Sequence, residues 1–209
     1  MIKNAVKKLF IVSGPSGAGK DTVINALFEK RSDIRFSISS ITRAMRPGEK
    51  QGEKYNFISV DEFKSMIAEN GFLEYAEYCG NFYGTPRAAV EQWLKNGETV
   101  LIEVDVQGAE KIMQIYPDAN YVFIMPPSLG KLKQRLTMRK TDSAEVIKRR
   151  IEAAENEIKK AAKYDFVIIN RENELERAAK EFCEIIDGER VADTPENKEN
   201  IIEEVLKNA

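Results

Sequence analysis

Eight consecutive residues, Gly14-Pro15-Ser16-Gly17-Ala18-Gly19-Lys20-Asp21, have the types and spacing of a phosphate cradle. Glycines let backbone N–H groups converge on an anion, a helix N-terminus adds positive potential, and a lysine at that point reaches terminal phosphates. The chemistry is that of binding a nucleoside triphosphate together with magnesium. The position after the lysine usually offers a hydroxyl to the metal; here it holds Asp21, with Thr22 next. Either Asp21 binds the metal, directly or through a water, or Thr22 supplies the oxygen. A ligand-free turn would explain the glycines alone, but not the lysine with a strand-like run before it and a helical one after.

Three further groups could act on phosphate or a base. Arg43 and Arg46 stand three apart in Ser39-Ser40-Ile41-Thr42-Arg43-Ala44-Met45-Arg46-Pro47-Gly48-Glu49, with Tyr55 following. Arginine's fork matches phosphate oxygens, so this reads as an anion clamp; a solvated basic turn is the bland alternative. Glu74 lies in an aromatic strand, Phe72-Leu73-Glu74-Tyr75-Ala76-Glu77-Tyr78. A carboxylate buried there needs donors, and a guanine pairing edge carries two; a glutamate facing water at a sheet edge is the alternative. Asp105 ends an apolar run, where a sheet places ligand-facing residues and where a carboxylate can orient magnesium and its waters. It could equally cap the helix that follows, and the two roles are compatible.

Composition removes other chemistries. The 209 residues contain no histidine, which excludes histidine triads, histidine metal sites and histidine relays. The two cysteines, Cys79 and Cys183, lack metal-type spacing and fit a reduced, cytoplasmic setting. A net charge of -2 gives no sign of a nucleic-acid or membrane surface. No apolar run approaches membrane-spanning length. The basic-then-apolar start is too short for a signal peptide and runs directly into the cradle, so it reads as the first strand.

The elements that must position these groups follow from periodicity. Five short apolar runs, at 9–12, 36–38, 100–104, 121–125 and 166–169, read as strands covered on both faces. Helical patterns lie between them at 20–30, 86–95, 107–114, 128–138, 143–162 and 173–186. That alternation predicts a parallel sheet with helices on both sides. The stretch 41–85 breaks the rhythm, with a short strand near 55–58, a helix at 61–68 capped by Asp61, and the aromatic strand. It reads as an α+β insertion. The tail, 188–209, is polar and closes on a short helix at 201–206, either frayed in solvent or a contact between copies.

The quoted residues also carry a family resemblance. The loop at 14–21, Ser-Ile-Ser-Ser-Ile-Thr-Arg at 37–43 with Arg46, Gly-Glu-Lys-Tyr-Asn-Phe at 52–57, Phe-Leu-Glu at 72–74, Gly-Asn-Phe-Tyr-Gly-Thr at 80–85, Glu-Val-Asp-Val-Gln-Gly at 103–108 and Pro-Pro-Ser at 126–128 together resemble guanylate kinases. These are monophosphate kinases that phosphorylate GMP with ATP. The resemblance runs from about Leu9 to Asp187. It implies a single P-loop α/β domain with a five-stranded parallel sheet in three layers. The core would comprise 1–36, 97–134 and 156–187, with a GMP-binding insertion at 37–96, a helical lid at 135–155 and the tail at 188–209.

The same resemblance implies roles residue by residue. ATP would lie on Gly14, Pro15, Ser16, Gly17, Ala18, Gly19, Lys20, Asp21 and Thr22, with Asn170 nearby. The GMP phosphate would meet Arg43, Arg46, Tyr55 and Tyr83, and the guanine would meet Glu74, with Ser39, Thr85 and Asp105 close. Lys20, Arg43 and the lid residues Arg135, Arg139 and Arg150 would balance the moving charge. Magnesium would be held by Asp21, Thr22 and Asp105, partly through water. Lys140, where the family often has glycine, and Arg171, where it often has an acidic residue, depart from the pattern. The implied partners are ATP and GMP, with no nucleic acid and no membrane; monomer and homodimer both fit. A scaffold domain that keeps the fold without catalysis would lack the cradle and the GMP residues. A kinase for another phosphorylated molecule would have no use for Glu74 beside Tyr55 and Tyr83.

Overall fold

The structure, a computed structural model, describes residues 7–138 and 143–208. Arg139 and Lys140 lie outside the described residues. A five-stranded sheet is formed by β1 (Leu9–Ser13), β2 (Ile34–Ser37), β7 (Thr99–Glu103), β8 (Asn120–Met125) and β9 (Phe166–Ile169), in the order β2-β7-β1-β8-β9. β2 runs parallel to β7, with Ile34 opposite Thr99, and β8 parallel to β9, with Val122 opposite Phe166. Every residue of β1 is buried. Such continuous apolar runs form strands that are covered on both faces, as periodicity anticipated. Among the described helices, none is long and apolar enough to cross a membrane.

Two compact units share the chain. The first joins the chain up to Ile11 to Asp33–Ala119. Besides β2 and β7 it contains a four-stranded sheet, β4-β3-β6-β5, made of β3 (Ser39–Ile41), β4 (Tyr55–Phe57), β5 (Phe72–Tyr78) and β6 (Asn81–Pro86). Its registers place Ser39 opposite Tyr55, Ile41 opposite both Phe57 and Tyr83, and Thr85 opposite Glu74. Opposed residues share a face, so Ser39, Tyr55, Tyr83, Thr85 and Glu74 lie on one side of this sheet.

The other side is apolar. There helix α2 (Val60–Ala68), which follows helix α1 (Lys20–Lys30) in the chain, inserts the fully buried Phe63, stacked on Phe72 at 4.3 Å and on Phe82 at 5.4 Å between centroids. Gly84 permits this, since a Cβ there would lie 2.8 Å from Phe72 and 3.0 Å from Phe63. The cap of α2 differs from expectation. Ser59, not Asp61, accepts the Glu62 N–H at 3.1 Å, and Asp61 falls within the first turn. Helices α3 (Arg87–Lys95) and α4 (Val106–Ile115) complete the unit.

The second unit joins Val12–Ser32 to Asn120–Ala209. Helix α1 (Lys20–Lys30) follows the glycine-rich loop and buries Val23, Ile24, Ala26 and Leu27. Burying each of the larger of these side chains stabilises by about 1.5–3 kcal/mol. Helix α5 (Leu129–Met138) follows β8. The expected helix at 143–162 is α6 (Ala144–Lys159), capped by Ser143, with a tighter 3-10 turn at Lys160–Lys163. After β9 come α7 (Leu175–Ile186) and α8 (Pro195–Lys207).

The tail is docked rather than frayed. Thr194 caps α8, accepting the Asn197 N–H at 3.2 Å, and Pro195 occupies its first turn. Ile202 and Val205 are buried. Lys198 donates to the Tyr164 carbonyl at 2.7 Å, and Asn208 O accepts the Gly130 N–H in the first turn of α5 at 3.2 Å. Polarity between 188 and 198 masked a helix whose apolar face is only one stripe wide.

Candidate active site

The glycine-rich loop belongs to the second unit. Gly14 lies so close to β8 that a Cβ would sit 2.1 Å from the Ile124 carbonyl oxygen. Gly19 is left-handed, at φ 89°, and precedes the first residue of α1. Its missing side chain matters twice: no hydroxyl or carboxylate caps the helix, and a Cβ would lie 2.3 Å from Asn170 Nδ2. The first-turn N–H groups of α1 are therefore presented beside a loop that only glycine can form. Lys20 Nζ donates to the Gly14 carbonyl at 2.9 Å, laying the ammonium across the loop.

Two residues far along the chain hold this loop. Asn170, buried after β9, donates to the Ala18 carbonyl at 2.9 Å. Arg135, on α5, donates to Ala18 O at 3.1 Å and to Asn170 O at 2.9 Å. Burial pulls the Arg135 pKa below its ordinary value, but the nearby Glu172 charge acts the other way. Both residues were expected to meet the nucleotide; in the structure both also shape the loop that would hold it. Ser16 is exposed, and Asp21 and Thr22 are exposed on the first turn of α1. Arg150 is half-buried on α6. Arg139 lies outside the described residues.

The second anion site belongs to the first unit. Glu74 on β5 accepts the Thr85 hydroxyl at 2.7 Å through Oε1. Its Oε2 lies 3.1 Å from the point where a Cβ of Gly108 would stand, so glycine leaves room for the carboxylate. Burial pushes the Glu74 pKa up; the Thr85 hydrogen bond opposes this, the Asp105 charge reinforces it, and Lys111 opposes it. Thr85 is fully buried and can serve little besides Glu74. Ser39 and Tyr83 are half-buried on the same sheet face. Asp105 caps α4, accepting the Gly108 N–H at 2.7 Å through Oδ1, and remains exposed.

Arg43 sits beside that face. Its guanidinium carbon lies 5.5 Å from the Tyr55 ring centroid and 5.4 Å from that of Phe57. The Tyr55 and Tyr83 phenols are near enough to influence its ionisation. Arg46 is exposed three residues on. The sheet thus gathers a half-buried carboxylate, two phenols and an arginine from four separate strands and turns. Such a constellation offers acceptors to N–H donors and donors to an anion.

A sequence model of the family described as guanylate kinase matches residues 6–189. The chain belongs to the guanylate kinase family. It is 48% identical over 184 residues to a guanylate kinase of Shewanella denitrificans, covering 88% of each. It is 42% identical over 201 residues to a guanylate kinase of Clostridium perfringens, covering 96% of this chain and 92% of that one. Among solved structures, guanylate kinase from Anaplasma phagocytophilum is 35% identical, with a TM-score of 0.69, covering 87% of this chain and 85% of that one.

Family membership gives the site its context, and the geometry adds members that sequence reasoning passed over. Glu49 was quoted within the basic turn but given no role; it pairs with Arg43. An acidic residue three after Arg46 across a Pro-Gly turn was the available signal. Lys111 is the other, donating to the Tyr75 carbonyl beside Glu74. It stands on α4, and nothing local to it in the sequence indicated that neighbour. Among the described residues, no cluster of three or more acidic or cysteine side chains forms a preassembled metal site. Magnesium in nucleotide sites is held by one or two protein oxygens plus phosphates and water, and exposed Asp21 and Thr22 at the loop fit that hard-oxygen donor set.

Proposed function

We propose that this chain transfers the γ-phosphoryl group of ATP to GMP, giving ADP and GDP. The observation that carries this reading is Glu74: a carboxylate half-withdrawn from water, one oxygen on Thr85, on the sheet face that also bears Tyr55 and Tyr83. Guanine's N1–H and exocyclic amine are the donors such a group lacks. Adenine would leave it desolvated and unpaired, a penalty of about 1–3 kcal/mol. Ser39 and Asp105 flank the base in this assignment, and Thr85 orients the carboxylate. Arg43, Arg46, Tyr55 and Tyr83 receive the monophosphate.

Gly14 to Thr22 receive the triphosphate of ATP, and Asn170 and Arg135 keep the loop in shape. Phosphoryl transfer asks the protein for little covalent chemistry. Its contribution is to align acceptor and donor and to follow the moving charge with cations. Lys20, Arg43 and Arg135 serve as those cations, joined by Arg139 and Arg150 from the lid. Asp21 and Thr22 hold magnesium, with Asp105 acting through water; the ion supplies charge neutralisation on the phosphates. Cys79 and Cys183, neither of them in a disulfide, suit a reduced cytoplasm.

The test is a coupled assay with ATP and four acceptors in parallel: GMP, AMP, UMP and dTMP. GMP is expected to exceed the others by more than about tenfold in kcat/KM. Equal use of AMP, or no use of GMP, overturns the reading.

A further inference from the structure

Arg43 is gripped on one edge only. Its Nη1 donates to Glu49 Oε2 at 2.6 Å and its Nη2 to Glu49 Oε1 at 2.5 Å, a side-by-side pairing. Nη1 also donates to the Ala44 carbonyl at 2.9 Å. A guanidinium has a second fork, formed by Nε and Nη2. Arg43 Nε has no hydrogen-bond partner among the described residues.

Glu49 is itself anchored. Its Oε2 accepts the Arg46 backbone N–H at 2.7 Å, and its own N–H donates to the Arg46 carbonyl at 3.0 Å. The turn carrying both arginines is therefore closed on the carboxylate that holds one of them. We infer that Glu49 is a positioning residue, fixing the terminal edge of Arg43 so that its Nε/Nη2 edge is presented to the phosphate of the acceptor nucleotide. This rests on the reading of GMP as that acceptor.

A different role has the opposite sign. Were Glu49 a stand-in for the phosphate, GMP would have to expel it, and removing it would tighten GMP binding. The anchoring argues against this, since expulsion would break a turn held by two hydrogen bonds to Arg46. The pairing also nearly cancels the charge of the Arg43 fork while no nucleotide is bound. A clamp so arranged selects by geometry, because a small inorganic anion gains little from a neutralised arginine. The Arg43 and Arg46 contacts hold the Glu49 pKa down at about 2, so the grip stays intact at any ordinary assay pH.

The experiment is steady-state kinetics on the full chain and its Glu49→Ala and Glu49→Gln variants, with melting curves for each. Glu49→Ala should raise KM for GMP roughly three- to tenfold, the effect of freeing one long side chain that must then be ordered on binding. KM for ATP should not move. Glu49→Gln, which keeps one acceptor, should fall between Ala and wild type. A lower KM for GMP would identify Glu49 as a competitor. An unchanged KM, or equal rises for both substrates with a lowered melting point, would reduce it to a structural residue. A further readout is independent of turnover: in NMR of the ligand-free protein, the Arg43 Nε–H signal should be single and dispersed in wild type and averaged in Glu49→Ala. If wild type fails to phosphorylate GMP, the functional reading fails on its own, and the NMR result still decides whether Glu49 orders Arg43.

Discussion

Replacing Glu74 with Gln isolates the acceptor-recognition argument. In the native protein Oε1 is engaged by Thr85 at 2.7 Å, and Oε2 lies against Gly108. Glutamine has the same shape, and its amide oxygen can keep the Thr85 hydroxyl. Its amide nitrogen then occupies the Oε2 position and points a donor at the donors of guanine. An unmade hydrogen bond in a desolvated site costs about 1–3 kcal/mol, which is about five- to 150-fold in kcat/KM for GMP. Stability should not fall, because burial already disfavours the charge that the substitution removes.

The pH dependence has a definite sign. The folded-state pKa of Glu74 lies above its ordinary value. The ionised carboxylate therefore opposes folding, an effect absent below the unfolded pKa and complete above the folded one. Guanine needs the ionised form, so KM for GMP should rise as acid protonates Glu74, beginning at a higher pH than for a solvent-exposed glutamate. In Glu74→Gln that acid limb should disappear. Initial rates at saturating ATP across the acid range, with melting curves alongside, test both statements. An unchanged kcat/KM for GMP, or an acid limb that survives the substitution, would remove Glu74 from the site.

Other outcomes follow from single contacts. Gly19→Ala brings a methyl to 2.3 Å from Asn170 Nδ2 in a left-handed residue, and should weaken binding of a fluorescent ATP analogue by more than about tenfold. Gly97→Ala, equally left-handed but with nothing within 4 Å, should cost about 1–2 kcal/mol of stability and leave that titration unchanged. Asp21→Ser should retain activity while shifting the magnesium dependence, and Thr22→Val should mainly weaken ATP; the reverse pattern would make Thr22 the metal-side residue. Ile202→Ala on α8 should lower unfolding free energy by about 2 kcal/mol in a denaturant titration, and a change too small to detect would mean the tail helix is not docked.

The parts of this molecule visible in its sequence are those with strong local signals. Five runs of three to five apolar residues read as strands covered on both faces; four of them are buried along most of their length, whereas β2 exposes Arg35 and leaves Phe36 half-buried. The cradle announced itself because glycine, lysine and flanking periodicity coincide. The second sheet was harder to see. β3 and β4 have only three residues each, too few for a period to emerge, and β3 is paired with residues up to 44 positions away, as at Ser40 and Gly84. Ser59 and Asp61 are both good capping residues two positions apart, so composition could not choose between them. The grip of Glu49 on Arg43 depends on how a Pro-Gly turn folds back, which spacing alone does not reveal. The resemblance implies nucleotide contacts for Arg135 and Asn170; their bonds to the Ala18 carbonyl involve a backbone atom, invisible in any side-chain pattern.

Those two bonds to Ala18 have a consequence for the order of events during folding. The loop is written early in the chain, but Arg135 lies 117 residues downstream of Ala18 and Asn170 lies 152 downstream. Nearly all of the first unit, Asp33–Ala119, intervenes. Contacts so distant in sequence carry the largest closure entropy and tend to form late. A ribosome-bound chain that has emerged only as far as β7 would contain every glycine of the cradle and still lack the residues that shape it. Nucleotide capture is then expected to be among the last properties acquired in refolding. A fluorescent ATP analogue should lag behind the far-ultraviolet signal of helix formation, and it would serve as a sensor of the final closure.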